Sequence, residues 1–151
     1  MNENQESQDR TIAYALLRIF LGVNVSMHGL SRFIDPSKFK ATIETQFAHS
    51  PLPHLAIVPF VHLLPWVESV VGVLILAGLM TRFSLIGGAV IMIALTVGSC
   101  LIQDWQAAGL QLSYQIAYFA LLFLRRYNHW SADAFLRNVF SSGRTNFTPS
   151  N

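Results

Sequence analysis

Charge is what this sequence has least of. Only 12% of its 151 residues are Asp, Glu, Lys or Arg, about half the share of an average soluble domain. Between residues 59 and 124 the charged side chains are Glu68, Arg82 and Asp104 alone. A soluble domain needs a polar outer face, and this stretch cannot supply one, so the chain is read as facing lipid. Cysteine is nearly absent as well, with Cys100 standing alone. One thiol makes no intrachain disulfide and no C-x-x-C pair, which disfavours thiol-disulfide relay chemistry. The polar, acidic start MNENQESQDR is followed by an apolar run ending in MHGLSRF, with no small-residue cleavage motif. The first apolar segment is therefore expected to be retained. There is no nucleotide-binding loop, no internal repeat and no nucleic-acid signature, and the net charge of +2 reads as contact with anionic lipid.

What is present is length of apolar chain. A membrane helix needs about 20 mostly apolar residues to cross about 30 Å of hydrocarbon. Four segments qualify: 12–28, 59–80, 83–102, and one from 105 or 110 to 124. The expected fold is all-α, an integral membrane four-helix bundle over residues 11–124. A polar segment, 1–10, precedes it, and an interfacial helix with a disordered tail, 125–151, follows. Arg10, Arg82, Arg125, Arg126, Arg137 and Arg144 fall on one side of these spans, and Arg32, Lys38 and Lys40 on the other. Arginine and lysine bias sets orientation, so both termini are expected in the cytoplasm, as for a multi-pass protein of a bacterial-type inner membrane.

Two shorter helices are legible. Asp35 before Pro36 reads as a cap with proline at the first helical position, and Phe39, Ile43 and Phe47 then recur every four residues. This amphipathic helix in the first outer loop either lies in the interface or folds over the bundle mouth as a lid. After Leu124, RRYNHWSADAFLRNVF mixes arginine with apolar residues, and Ser131 is placed to cap a helix lying on the inner surface. The Asn146 sequon falls in the tail on the side assigned to the cytoplasm, where it carries no glycosylation expectation.

An ionisable side chain inside a bilayer costs roughly 2.5–3.5 kcal/mol at a helix centre, so it faces a partner or a polar cavity. Arg18 in the first span and Glu68 in the second are of opposite sign and are placed at similar depths by residue counting, so they are expected to pair. Gly22, Ser26 and Gly29 continue the Arg18 face and Gly72 lies one turn beyond Glu68; small residues bring helices close. Such a pair either handles protons or only fixes helix register. In the fourth span Gln111, Tyr114, Gln115 and Tyr118 form a polar stripe, and His28 and His62 lie at the same outer level. With Glu68 these groups outline a cavity of donors, a carboxylate and aromatic walls that suits a quinone head group. An axial metal role for His28 and His62 lacks a third ligand, so no metal site is assigned.

The stretches LLRIFLGVNVSMHGLSRF and ESVVGVLILAGLMTR resemble the DoxX family of small four-helix membrane proteins. The family pattern has an L-R-x-x-L-G opening, an H-G-x-x-[KR] span end, and E-x-x-x-G followed by a G-L-x-[TS]-R turn. Arg18, Gly22, His28, Gly29, Arg32, Glu68, Gly72, Gly78 and Arg82 fall on those marks, and the resemblance runs over residues 11–124. It implies a quinone-linked redox setting, since relatives include the membrane subunit of a thiosulfate:quinone oxidoreductase. On that reading Glu68 and Arg18 act in the chemistry, and His28, His62, Tyr114, Gln115 and Tyr118 hold quinone. The electrons would come from a partner oxidoreductase subunit, in a hetero- or homo-oligomer within the lipid bilayer. A membrane scaffold or assembly subunit without catalysis is the competing expectation.

Overall fold

The computed structural model describes residues 2–142, so the expected disordered tail and the Asn146 sequon lie outside the described residues. Six α-helices follow one another: α1 (Glu3–Ile34), α2 (Pro36–Phe47), α3 (His54–Ala77), α4 (Thr81–Leu101), α5 (Trp105–Phe123) and α6 (Ala132–Ser142). A 3-10 turn at Arg125–Tyr127 precedes α6, and no strand occurs among the described residues. α1, α3 and α4 are long and apolar enough to cross a membrane. α5 has 19 residues, about 28 Å of helix at 1.5 Å per residue.

α1 is 32 residues long, nearly twice the apolar segment seen in the sequence. The polar segment 1–10 is mostly its first turns: the Gln5 side chain accepts from the Asn2 N–H at 3.5 Å, and Glu3 and Glu6 sit at the positive end of the helix dipole. α1 runs antiparallel along α3, α3 lies against α4, α4 packs along α5, and α5 returns to α1. The core between them is Tyr14, Leu21, Val25, Ile75, Leu85, Tyr118 and Leu121.

Burial is inverted relative to a soluble protein. Arg18, Ser26, Glu68, Ser69, Thr81, Ser84, Ser99 and Asn128 are buried, while Phe20, Phe83, Phe119 and Phe123 are each more than 60% exposed. Polar groups inside and large apolar groups outside are what a hydrocarbon solvent selects. The chain is a multi-pass membrane protein of apolar helices.

The turns set how the helices stack. Gly78 ends α3 in the left-handed region, φ 67°, with the Leu79 N–H reaching back to the Leu74 carbonyl at 2.9 Å; a residue without Cβ adopts this at no steric cost. α4 then starts with its free N–H groups at Met80 and Thr81 donating to the two Asp133 carboxylate oxygens, each at 2.8 Å. Asn128 donates to Thr81 Oγ1 at 2.9 Å, and the Asp133 N–H reaches the Gly78 carbonyl at 3.0 Å. Burial acts to raise the Asp133 carboxyl, but the Thr81 and Met80 donors and Arg137 outweigh it and hold it below the usual carboxylate range. α6, capped by Ser131 Oγ accepting from the Ala134 N–H at 3.2 Å, is thus tied to the α3–α4 turn by its own first residues.

At the opposite end Asp35 caps α2, accepting from the Lys38 N–H at 2.9 Å, with Pro36 in the first turn. Ile43 and Phe47 of α2 border a groove with Leu52, Ile57 and Phe60 of the α3 region and Val97 and Gly98 of α4. α2 therefore lies over the ends of α3 and α4. α3 starts earlier than expected, at His54, and extends past the end of α1 to meet it.

Candidate functional site

The α1–α3 contact is made close by small residues. A Cβ at Gly22 would sit 2.5 Å from the Leu76 backbone nitrogen, one at Gly72 2.7 Å from Ser26 Cα, and one at Gly29 2.7 Å from the Pro65 carbonyl. The hydroxyls there turn inward on their own helices, Ser26 to the Gly22 carbonyl and Ser69 to the Pro65 carbonyl, both at 2.7 Å. These contacts fix the register: residue 22 meets 76, 26 meets 72, and 29 meets 69. Each step along α1 toward its end is a step back along α3.

That register corrects the expected pair. Arg18 falls level with residue 80, about twelve residues and so about 18 Å from Glu68 along the helix axis. Glu68 instead forms its ion pair with Arg32, whose side chain is 18% exposed against 6% for Glu68. The Arg32 guanidinium also lies 4.7 Å above the Phe39 ring of α2, within cation-π range. One arginine thus joins α1, α3 and α2. The depth estimate failed because the outer ends of the two spans were taken as level, whereas the end of α1 at Ile34 falls level with residue 64, about ten residues inside the start of α3 at His54.

Arg18 has another task. Its Nη1 donates to the Ile75 and Leu76 carbonyls at 2.8 and 2.6 Å, and its Nη2 to the Trp130 carbonyl at 2.7 Å. Ile75 and Leu76 lie in the last turn of α3, where carbonyls lack their usual helical N–H partner; the Gly78 N–H reaches the Ile75 carbonyl at 3.1 Å, and the buried Arg18 cation adds a donor to both carbonyls and opposes the dipole. Among the described residues no carboxylate pairs with Arg18. It joins α1, α3 and the segment before α6, at the opposite end of the bundle from Glu68 and His28.

Glu68 and Arg32 open on a cavity of about 240 Å³ between α1, α3, α4 and α5, with Val25, Ile91, Met92, Leu95 and Leu110 as apolar wall. Asn24, His28, Gln111, Tyr114 and Tyr118 supply the remaining polar lining. Tyr114 donates to Asn24 Oδ1 at 3.0 Å and meets the His28 ring edge to face at 6.4 Å. His28 Nδ1 lies 3.0 Å from the Asn24 carbonyl oxygen. A carbonyl only accepts, so Nδ1 carries the proton in this contact, and Nε2 is an acceptor when the ring is neutral. Gln111 donates to Ser99 Oγ at 2.9 Å, leaving its buried Oε1 without a protein partner. Tyr118 is 2% exposed, and its ring occupies the space that a Cβ on Gly88 would take, 2.5 Å away. Gly88 is thus the packing glycine that seats the phenol.

Of the residues singled out in the sequence, Glu68, His28, Gln111, Tyr114 and Tyr118 share this cavity. Arg18 does not reach it. His62 is exposed on α3 and is not among its lining. Gln115, one residue beyond Tyr114, turns to a separate groove beside Thr96, Val97 and Cys100. Helical spacing explains this split: adjacent positions differ by about 100° and cannot share a face. Arg32 and Asn24 went unassigned to the site. The signals were present, since Arg32 closes the H-G-x-x-[KR] motif and Asn24 precedes His28 by one turn.

Apolar helices with a buried polar cavity between them define a multi-pass helical membrane protein with an internal site. Within that class the DoxX family model matches residues 13–99. That is more than half of the chain, and it takes in most of α1, all of α2 and α3 and most of α4, with Arg32 and Glu68 inside it. This protein belongs to the DoxX family. No curated protein and no solved structure matches the chain.

Proposed function

We propose that this DoxX protein is a quinone-linked membrane subunit of an oxidoreductase complex, binding the quinone ring in the cavity beside Glu68. The reading rests on one observation: an apolar-walled cavity of about 240 Å³ gathers a carboxylate, an arginine, a histidine and two tyrosines. A flat ring with oxygen at both ends fits apolar walls flanked by donors and acceptors. The quinone–quinol couple supplies a two-electron, two-proton exchange, and the electrons pass to or from a partner subunit. Arg32 keeps Glu68 oriented, and the Glu68 carboxylate takes up or returns a proton at its free oxygen. His28 Nε2 offers a second acceptor, and the Tyr118 hydroxyl a donor to a carbonyl oxygen.

In this reading α5 crosses the membrane with α1, α3 and α4 as a fourth span, and α6 lies in the interface. The end bearing Arg10, Arg82, Arg125, Arg126 and Arg137 faces the cytoplasm of a bacterial-type inner membrane, by the excess of arginine there. α2 lies over the outer mouth.

The competing reading is a non-catalytic scaffold, and the mutual satisfaction of Arg32 and Glu68 favours it, because a closed ion pair holds helices without chemistry. Purification in mild detergent followed by extraction and quantification of quinone separates the two. Near-stoichiometric quinone, lost in Glu68→Gln at a temperature where that variant is still folded and reduced in Tyr118→Phe with thermal stability kept, supports the redox role. Absence of bound quinone, with no quenching of tryptophan fluorescence by added ubiquinone or menaquinone analogues, removes it.

A further inference from the structure

A second concave site lies at the α6 end, independent of the quinone reading. The cleft between α6 and the 3-10 turn has a volume of about 1270 Å³ and is bordered by Arg125, Arg126, His129 and Arg137. The carboxylate bordering it, Asp133, already accepts from the Met80 and Thr81 N–H groups. None of the three arginines is in an ion pair among the described residues. The cleft therefore carries a net positive charge, three arginines against one carboxylate.

Two further observations define what it fits. Asn128 borders the cleft, is 6% exposed, and donates through Nδ2 to Thr81, yet its Oδ1 has no partner. A buried acceptor without a donor calls for one, such as a hydroxyl. Leu136 and Phe140 line the same cleft, and Trp130, Phe135 and Val139 stand exposed beside it. An apolar border next to a basic cleft at the end of membrane helices matches a ligand with an anionic head and acyl chains.

We propose that this cleft holds the head group of an anionic phospholipid whose head group also carries a hydroxyl, of the phosphatidylglycerol type. The arginines take the phosphate, Asn128 Oδ1 accepts the hydroxyl, and the chains run along Leu136 and Phe140. Bound this way, the lipid ties α6 to the membrane next to the α3–α4 turn.

The test is lipid titration of the full chain in mild detergent, read by native mass spectrometry, with Arg125→Gln/Arg126→Gln as the variant. Both side chains are exposed, so the variant keeps its fold, and an unchanged melting temperature verifies it. Phosphatidylglycerol is expected to bind more tightly than phosphatidylethanolamine and than phosphatidylmethanol, which has the charge but no hydroxyl. The double variant should weaken phosphatidylglycerol about 30-fold, about five-fold per arginine. Equal binding of phosphatidylglycerol and phosphatidylethanolamine, or no loss in the variant, overturns the site. Parity of phosphatidylmethanol overturns the hydroxyl contact. Displacement of the lipid by an equal concentration of glycerol 3-phosphate overturns the lipid assignment in favour of a soluble organophosphate.

Discussion

Replacing charges at three positions decides which arginine Glu68 belongs to. Glu68 and Arg32 are in direct contact; two unit charges about 4 Å apart interact by about 4 kcal/mol at an effective dielectric constant near 20. Arg18 lies about 18 Å along the axis from Glu68, and the same expression then gives about 0.9 kcal/mol. Its side chain moreover points to the far end, onto the Ile75, Leu76 and Trp130 carbonyls. The double-mutant cycle of Arg32→Gln with Glu68→Gln should therefore show a coupling of about 3–4 kcal/mol, and Arg18→Gln with Glu68→Gln less than about 1 kcal/mol. Arg18→Gln alone should still destabilise by about 2–4 kcal/mol, because it removes charge-assisted bonds from a buried side chain to three carbonyls. The assay is unfolding in dodecylmaltoside micelles by increasing SDS fraction, followed by tryptophan fluorescence. A coupling between Arg18 and Glu68 as large as that between Arg32 and Glu68 would refute both the register and the site built on it.

Two further outcomes follow from packing and capping. Gly72→Ala should destabilise by about 1–3 kcal/mol, because the new Cβ would lie 2.7 Å from Ser26 Cα and force α1 from α3. Gly87→Ala, with nothing within 4 Å, should be neutral or stabilise by up to about 1 kcal/mol; the reverse ranking in the same unfolding assay would show that the interface is elsewhere. Asp133→Asn should cost about 1–2 kcal/mol at neutral pH, from loss of a charged cap on α4. The folded Asp133 carboxyl titrates below its ordinary value, so its stabilisation is complete above about pH 4, the unfolded value, and fades as pH falls through the lower folded value. A wild-type advantage that instead shrank between pH 7 and pH 5 would contradict this assignment.

Much of the molecule was legible before any coordinates, for reasons that can be named. Hydropathy periodicity marks helices because each must satisfy its own backbone in lipid, so the four long apolar segments correspond to α1, α3, α4 and α5. Asp35 with Pro36, and Ser131, announce helix starts through local hydrogen bonding, which depends on a few neighbouring residues. The glycine and serine positions of α1 and α3 mark a close contact because small side chains leave nothing between backbones. Boundaries were less legible: α1 begins within the polar segment and α3 before Pro59, because water and lipid both permit helix and composition shifts only where the solvent changes.

Composition, hydropathy and small-residue spacing thus determined a helical membrane protein with a tight α1–α3 contact and a polar set toward one end of the bundle. Which charge meets which was a property of register alone. Sliding α1 along α3 by one helical turn, about 5.4 Å, would change every polar partner while leaving the apolar pattern intact. Only the tertiary structure set residue 22 against 76 and 29 against 69. That placed Arg32 beside Glu68, sent Arg18 to the end of α3, and turned Gln115 and His62 out of the cavity that Tyr114 and His28 line.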